Sequence, residues 1–251
     1  MTHPLDRPFD AARWRARLAD DRQHVLDVVP PALRVLHGLV VARARESGAE
    51  ALLLTGSTAR NTRTLISDLD YHLAGSPISK DGLPDELDLH VVSPRLLKTR
   101  LLEGDDFTQW SLRFGCIVFD NGIIREAARL IADERLWPDT ARKRKQAKKS
   151  LEIARAMVAS GDSDAAVEQV RTALTLIARW RLLEDRTFPL SRAELPAQLK
   201  KLGYLTLAKG LAETIQSAPA LAALGLSVDA ADELLHGTNT EIGVHARSHA
   251  A

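Results

Sequence analysis

Acidic residues placed inside otherwise apolar strands are the feature that most constrains this chain. In residues 52–73, LLLTGSTARNTRTLISDLDYHL, an apolar run breaks into Gly-Ser, and a polar loop leads to Asp68 and Asp70, one residue apart. Side chains at positions i and i+2 of a strand project from the same face. The stretch DLDYHL therefore predicts a strand over 68–73, with these aspartates and His72 on one face and apolar residues on the other.

A second stretch, LDLHVV at residues 87–92, repeats this alternation. Asp88 and His90 share one face of the predicted strand, and apolar residues occupy the opposite face. The apolar runs ALLLT and CIVFD, at residues 51–55 and 116–120, predict two further strands. The chain thus has about four strands, all within its first half.

Outside these strands the sequence predicts helices and loops. Helical periods cover residues 10–29 and 94–114, and they dominate from about residue 123 onward. Another predicted helix, which ends at Ser47-Gly48, has one apolar face formed by Leu33, Leu36, Val40 and Ala44. Residues 75–85 are rich in Gly, Ser, Pro and Asp, a composition that predicts a hairpin-like loop.

Strands confined to one part of the chain indicate an α+β protein rather than a regular alternation of strand and helix. We expect a small mixed β-sheet with flanking helices, followed by an all-helical bundle. The predicted organisation is a pair of N-terminal helices over residues 1–48, packed on a sheet domain over 49–125, and a helical domain over 126–251.

Composition and charge exclude several classes of protein. The formal net charge is +1, so nothing in the total attracts a nucleic acid or an anionic membrane. The single cysteine, Cys116, leaves no internal disulfide and suits a reducing compartment. No apolar run reaches the roughly 18 residues of a membrane span. We therefore expect a soluble cytoplasmic protein, with self-association left open.

The aspartates require a partner that compensates their charge. Carboxylates held side by side on a strand repel each other, and burying them uncompensated would cost several kcal/mol. A divalent cation removes this cost, and Mg²⁺ seeks carboxylate and phosphate oxygens. With Asp88 on a neighbouring strand, Asp68 and Asp70 would complete a two-metal site suited to in-line phosphoryl or nucleotidyl transfer. Gly56 and Ser57 would bring backbone N–H groups and a hydroxyl to the phosphates.

The combined motif, TGSTAR…SDLDYHL…LDLHVV, resembles that of the nucleotidyltransferase superfamily, which includes DNA polymerase beta. That motif is Gly-Ser, a spacer of about ten residues, Asp-x-Asp on a strand, and a third Asp on a later strand. Here Gly56-Ser57, Asp68, Asp70 and Asp88 match it, with ten residues between Ser57 and Asp68. The GSTAR form is most similar to minimal and antibiotic nucleotidyltransferases, and the helical remainder resembles the partner domains of kanamycin-type and HEPN proteins.

The resemblance implies an enzyme that transfers a nucleoside monophosphate from an NTP to a hydroxyl group and releases pyrophosphate. It implies that Asp68, Asp70 and Asp88 hold two Mg²⁺ ions, with Mn²⁺ as an alternative. We expect a small-molecule acceptor such as an antibiotic and consider nucleic acid an improbable partner. Two other interpretations stay open. One is a toxin–antitoxin type of nucleotidyltransferase that acts on a protein or tRNA, and the other is a non-catalytic nucleotide-binding module.

Basic residues and histidines supply the remaining candidates. Arg60 and Arg63 lie in the phosphate loop, and one of them, with Arg60 as the candidate, would contact the triphosphate; solvation of both arginines is the equal alternative. The run ARKRKQAKK at residues 141–149 has six basic residues in nine, and Lys145 or Lys149 would reach the β- and γ-phosphates. A solvated helix end explains the run equally well. For His72 and His90 the alternatives are a hydrogen bond to a carboxylate or an extra metal ligand that favours Mn²⁺ or Zn²⁺.

Overall fold

A computed structural model of the chain describes residues 3–64, 67–84, 87–216 and 220–236. The strands in these ranges are β1 (Ala51–Leu54), β2 (Leu69–Ala74), β3 (Leu87–Val92) and β4 (Cys116–Asp120). The α-helices are α1 (Ala11–Val28), α2 (Arg34–Glu46), α3 (Gly56–Ala59), α4 (Pro94–Leu102), α5 (Asp106–Phe114), α6 (Ile123–Asp133), α7 (Thr140–Ser160), α8 (Ser163–Glu184), α9 (Leu195–Lys201), α10 (Leu205–Gln216) and α11 (Leu221–His236). Short 3₁₀ turns lie at Pro4–Asp6, Pro31–Leu33 and Arg192–Glu194.

The four strands form one mixed sheet in the order β3-β2-β1-β4. Strand β1 is antiparallel to both β2 and β4, whereas β2 and β3 are parallel. Helices flank this sheet, and only helices and loops follow β4 in the described residues. The predicted α+β class, with a small mixed sheet followed by a helical region, is confirmed.

The predicted hairpin-like loop at residues 75–85 is wrong. A hairpin would make β2 and β3 antiparallel, but the two strands run parallel, so the chain crosses back before β3 begins. About a dozen residues suffice for such a crossover. Local composition indicates a loop but cannot indicate its direction, which is set by the pairing of the strands.

The predicted helical segment over residues 94–114 is two helices, α4 and α5. Gly104 separates them in a left-handed conformation with φ of +69°. Asp105 then caps α5, because its side chain accepts from the backbone N–H of Thr108 at 2.8 Å. A Cβ at Gly104 would lie 2.6 Å from the backbone nitrogen of Asp139, so close packing also requires the glycine.

The two faces of the sheet are buried against different layers. One face carries Leu69, Tyr71 and Leu73, which pack with residues of α1 and α2. The opposite face carries Ala51, Leu53, Ala74 and Val92, which pack with α4 and α6. The polar residues of β2 and β3 share this second face because side chains alternate along each strand.

The chain divides into two compact units, residues 1–139 and 140–251. Helix α6 packs in the core of the first unit, so the predicted boundary at residue 126 falls inside this helix. The second unit is built on its own core, in which α8 contributes Val170, Leu174 and Ile177. The finer division of the first unit at residue 48 stays a prediction.

None of the described helices alone has the length and apolar composition of a membrane span. Helix α1 and the segment Pro31–Glu46 meet these criteria only as a pair, which is bent by 105°.

Candidate functional site

Strands β2 and β3 place the acidic residues side by side. Their parallel register aligns Asp70 with Asp88 and, two residues further along, His72 with His90. Neighbouring strands lie about 4.8 Å apart, so aligned residues on one face are direct neighbours. The structure thus brings together two of the three predicted carboxylates from positions 18 residues apart in the sequence.

The three carboxylates differ in exposure. Asp70 is half-buried, whereas Asp88 on β3 and Asp68, just before β2, are exposed. Burial, and then the charges of Asp88 and Asp68, raise the pKa of Asp70 from 3.8 to about 6, although Arg63 opposes the shift. In the described part of the chain, no side chain forms a hydrogen bond or an ion pair with any of the three carboxylates.

Gly56 lies directly against the side chain of Asp70. The backbone N–H of Thr55 donates to the carbonyl oxygen of Asp70 at 2.8 Å. This bond holds the residue that follows β1 beside Asp70 on β2. Gly56 then turns the chain with φ of +65°. A Cβ at position 56 would lie 1.8 Å from Asp70 Oδ2 and 2.6 Å from its Cγ. The glycine of the predicted motif is therefore required both by its backbone angle and by the carboxylate beside it.

The loop after Gly56 is folded back towards β2. The backbone N–H of Thr62 donates to the carbonyl of Ser57 at 2.9 Å. Arg63 donates to the carbonyl of Asp68 at 3.0 Å and to the hydroxyl of Thr58 at 3.5 Å. These bonds hold the start and the end of the loop together beside Asp70. No described residue forms a hydrogen bond with the hydroxyl of Ser57.

The predicted basic residues lie in different places. The guanidinium of Arg60 lies over the ring of Phe114, 5.3 Å from its centroid, so part of its surface is taken up by α5. Arg63, the other arginine of the loop, is the cation whose charge opposes the rise in the pKa of Asp70. Lys145 and Lys149 are exposed on α7 in the second unit, and their contact with a triphosphate stays a prediction.

The two histidines belong to a cluster of rings. His72 and His90 are in edge contact, with centroids 4.8 Å apart. Phe107, on α5, lies 5.8 Å from His72 and 5.0 Å from His90. His72 is only 2% exposed, whereas Phe107 is 43% exposed. Burial lowers the pKa of His72 to about 3, so this ring is neutral.

Within the part of the chain that the structure describes, neither histidine forms the predicted hydrogen bond to a carboxylate. Arg100 Nη1 lies 2.8 Å from His90 Nε2, and the buried Nε2 of His72 has no partner among the described residues. Sequence reasoning missed Arg100 and Phe107. Neither residue lies in a recognisable motif, and both reach the strands only because α4 and α5 pack on that face of the sheet.

The donor atoms around Asp70 fit a hard divalent cation in type and in charge. They are carboxylate oxygens that receive no hydrogen bond from a described side chain, and burial, followed by the charges of Asp88 and Asp68, raises the pKa of Asp70 against the opposing charge of Arg63. In the described ranges, no three His, Cys, Asp or Glu side chains are already grouped as a metal site. The fit thus rests on the aligned pair Asp70 and Asp88, with Asp68 as their exposed neighbour.

Comparisons with known proteins add a likeness to solved structures. No family model and no curated protein matches this chain. Among solved structures, a nucleotidyltransferase-like protein from Exiguobacterium sibiricum 255-15 matches 82% of this chain and 74% of its own, with 17% identity and a TM-score of 0.43. A likeness at this level assigns neither an activity nor a substrate to the chain.

Proposed function

We propose that the protein is a divalent-metal-dependent nucleotidyltransferase that moves a nucleoside monophosphate from an NTP to a hydroxyl group. The observation that carries this proposal is the in-register pair Asp70 and Asp88, with Gly56 held against the carboxylate of Asp70. Aligned carboxylates to which no described side chain forms a hydrogen bond or an ion pair suit a protein that binds cations together with phosphates.

The carboxylates of Asp68, Asp70 and Asp88 would hold Mg²⁺, or Mn²⁺ in its place. When bound there, the ions would neutralise phosphate charge and make the α-phosphorus more electrophilic. An all-oxygen donor set favours these ions over softer ones. Two ions are the number that the resemblance of the motif implies.

The chain itself positions the reactants. The side-chain position of Gly56 is filled by the Asp70 carboxylate, so phosphate oxygens would be bound by backbone N–H groups of the turn, and the Ser57 hydroxyl would add a donor. Arg63 lies at the base of the same loop and adds a positive charge. Asp88 would accept the proton of the acceptor hydroxyl as its oxygen attacks the α-phosphorus. The bond from the α-phosphorus to the bridging oxygen then breaks, and pyrophosphate leaves.

The acceptor is proposed to be a small hydroxylated molecule. A protein or tRNA acceptor would require an extended complementary surface, and the exposed basic residues of α7 are the candidate for it: Arg142, Arg144, Lys145, Lys148 and Lys149. Pyrophosphate release with small hydroxyl compounds, compared with release with tRNA and protein fractions, distinguishes these acceptors.

Calorimetry with each of the four NTPs, with and without Mg²⁺, tests the proposal. We expect binding of at least one NTP that requires Mg²⁺ and that is lost in the double variant Asp68→Asn/Asp70→Asn. Asp20→Asn, which changes an exposed carboxylate on α1, is the matched control. Unchanged binding in the double variant, or no binding of any NTP by the wild type, would contradict the proposal.

A further inference from the structure

The aligned strands carry more than the two carboxylates. Asp70 and His72 on β2, and Asp88 and His90 on β3, form a two-by-two grid on one face of the sheet. A carboxylate and an imidazole at positions i and i+2 of a strand could both face one ion. Such a mixed set of oxygen and nitrogen donors suits Zn²⁺ and the later transition metals better than Mg²⁺.

Arg100 removes His90 from this donor set. A guanidinium has five N–H donors and no acceptor, so in the 2.8 Å contact the Nε2 atom of His90 must accept. A neutral imidazole has one acceptor nitrogen, and its other nitrogen carries the proton. His90 is thereby fixed as the Nδ1–H tautomer, and its single lone pair is already used.

His72 is kept from contacting a metal ion by its burial rather than by a hydrogen bond. Its ring is 2% exposed and contacts both Phe107 and His90. Its Nε2 atom has no hydrogen-bond partner among the described residues, yet a cation would reach it only after these neighbouring rings had moved. Of the four residues in the grid, only Asp70 and Asp88 keep lone pairs that an ion can reach.

We propose that Arg100 determines the metal selectivity of the site, because it occupies His90 Nε2 and leaves carboxylate oxygens as the available donors. The proposal rests on the proposed metal-dependent function. Its physical reason is that sites with nitrogen donors bind Zn²⁺ far more tightly than Mg²⁺. A site that uses weakly bound Mg²⁺ therefore excludes Zn²⁺ better when hydrogen bonds occupy the lone pairs of nearby imidazoles. Arg100 is accordingly a positioning residue that acts through His90.

The test compares Arg100→Leu, Arg100→Lys and the double variant Arg100→Leu/His90→Phe with the wild type. Arg100→Leu removes the donor and leaves the lone pair of His90 Nε2 free. Arg100→Lys keeps an N–H donor for that lone pair, since lysine, like arginine, has no acceptor atom. The double variant removes the freed imidazole but keeps the loss of positive charge. It therefore separates a general electrostatic gain in cation affinity from a gain due to His90.

Two measurements on the metal-loaded proteins, neither of them an activity, give the readout. Pulsed EPR of bound Mn²⁺ detects a directly coordinated imidazole nitrogen, and calorimetry gives the affinities for Zn²⁺ and Mg²⁺. We expect a nitrogen coupling only in Arg100→Leu, together with a rise of about 10- to 100-fold in the ratio of Zn²⁺ to Mg²⁺ affinity. The double variant and Arg100→Lys should both resemble the wild type.

The outcomes separate this inference from the proposed function. If the wild type binds Mg²⁺ but Arg100→Leu shows no nitrogen coupling and an unchanged affinity ratio, the role of Arg100 is overturned while the proposed function stands. A nitrogen coupling already present in the wild type also overturns it. If neither the wild type nor any variant binds Mg²⁺ or Mn²⁺, the proposed function fails and the inference fails with it.

Discussion

Gly56 and Asp70 are packed so closely that no side chain fits between them: a Cβ at position 56 would lie 1.8 Å from Asp70 Oδ2. Gly56 also has φ of +65°, a left-handed conformation that costs free energy for residues other than glycine. The turn that follows β1 and the carboxylate on β2 therefore form one unit, in which the glycine backbone is the surface nearest to the acidic group.

Gly56→Ala should impair both folding and function. The left-handed backbone alone costs about 1–2 kcal/mol with alanine, and the contact with Asp70 adds to this cost. Urea unfolding should show the loss of stability, and Mg²⁺-dependent NTP binding should fall because Asp70 must move. The control is Gly38→Ala on α2, where an added Cβ meets nothing within 4 Å and should stabilise by about 0.5–1 kcal/mol.

The double variant Gly56→Ala/Asp70→Ala distinguishes the two costs. Removing the carboxylate takes away the contacts at 1.8 and 2.6 Å and leaves only the Asp70 Cβ at 3.0 Å. The free energy of unfolding should recover in part, so that only the cost of the left-handed backbone remains. NTP binding should stay lost because the carboxylate is absent. A double variant no more stable than Gly56→Ala would show that the contact with Asp70 contributes nothing.

The raised pKa of Asp70 predicts that the metal-free protein loses stability as the pH rises. The folded pKa is about 6 and the ordinary value is 3.8. Between these values the unfolded chain has released the proton while the folded chain still binds it, so the free energy of unfolding falls as pH increases. The loss should begin near pH 4 and be complete above about pH 6. Urea unfolding in chelator at several pH values measures it.

Asp70→Asn should remove this pH dependence. The variant and the wild type should have similar pH-dependent trends below about pH 4, and the variant should be the more stable at pH 7. Asp20→Asn should follow the wild-type curve. A variant that is less stable than the wild type at pH 7 would mean that the carboxylate has a favourable partner that outweighs its burial and the repulsion from Asp88 and Asp68.

Arg63 should affect nucleotide binding more than stability. Its bonds to the Asp68 carbonyl and the Thr58 hydroxyl hold the loop beside Asp70, and these exposed or half-buried bonds contribute about 1 kcal/mol each at most. A charge-assisted bond to a phosphate is worth about 1.5–3 kcal/mol. Arg63→Leu should therefore weaken NTP binding by roughly 10- to 100-fold in calorimetry. An unchanged affinity would place the triphosphate away from this loop.

The sequence predicts the strands and the acidic face well, because both follow from local alternation. Leu69, Tyr71 and Leu73 are buried on one face, and Asp70 and His72 lie on the other, as the period of two requires. The need for glycine at position 56 also has a local signal, since the motif contains it. The motif does not show why glycine is needed at this position. The reason is the close contact between Gly56, which follows β1, and Asp70 on the neighbouring strand β2.

Features set by long-range pairing could not be predicted in this way. The direction of β3 depends on whether the chain turns back directly or crosses over before it pairs with β2, and a polar loop is compatible with either direction. The contact between Arg100 and His90 depends on how α4 packs against the sheet. Likewise, Arg60 and Arg63 are equivalent in the sequence. The structure distinguishes them, because Arg60 lies over the ring of Phe114 whereas Arg63 donates to the Asp68 carbonyl and the Thr58 hydroxyl.

Mg²⁺ and protons should compete for Asp70, which links the metal to stability. A ligand that binds only the folded state stabilises it by about 2.7 kcal/mol at a concentration of 100 times its Kd. The folded protein must lose the proton of Asp70, with a pKa of about 6, before this carboxylate can bind the ion. The rise in Tm on adding Mg²⁺ should therefore be small at pH 5 and increase through pH 6 to pH 7. Asp70→Asn should show little rise at any pH, and Asp20→Asn should match the wild type. A rise that is the same at pH 5 and pH 7 would place the ion elsewhere, because binding at Asp70 cannot be independent of its proton.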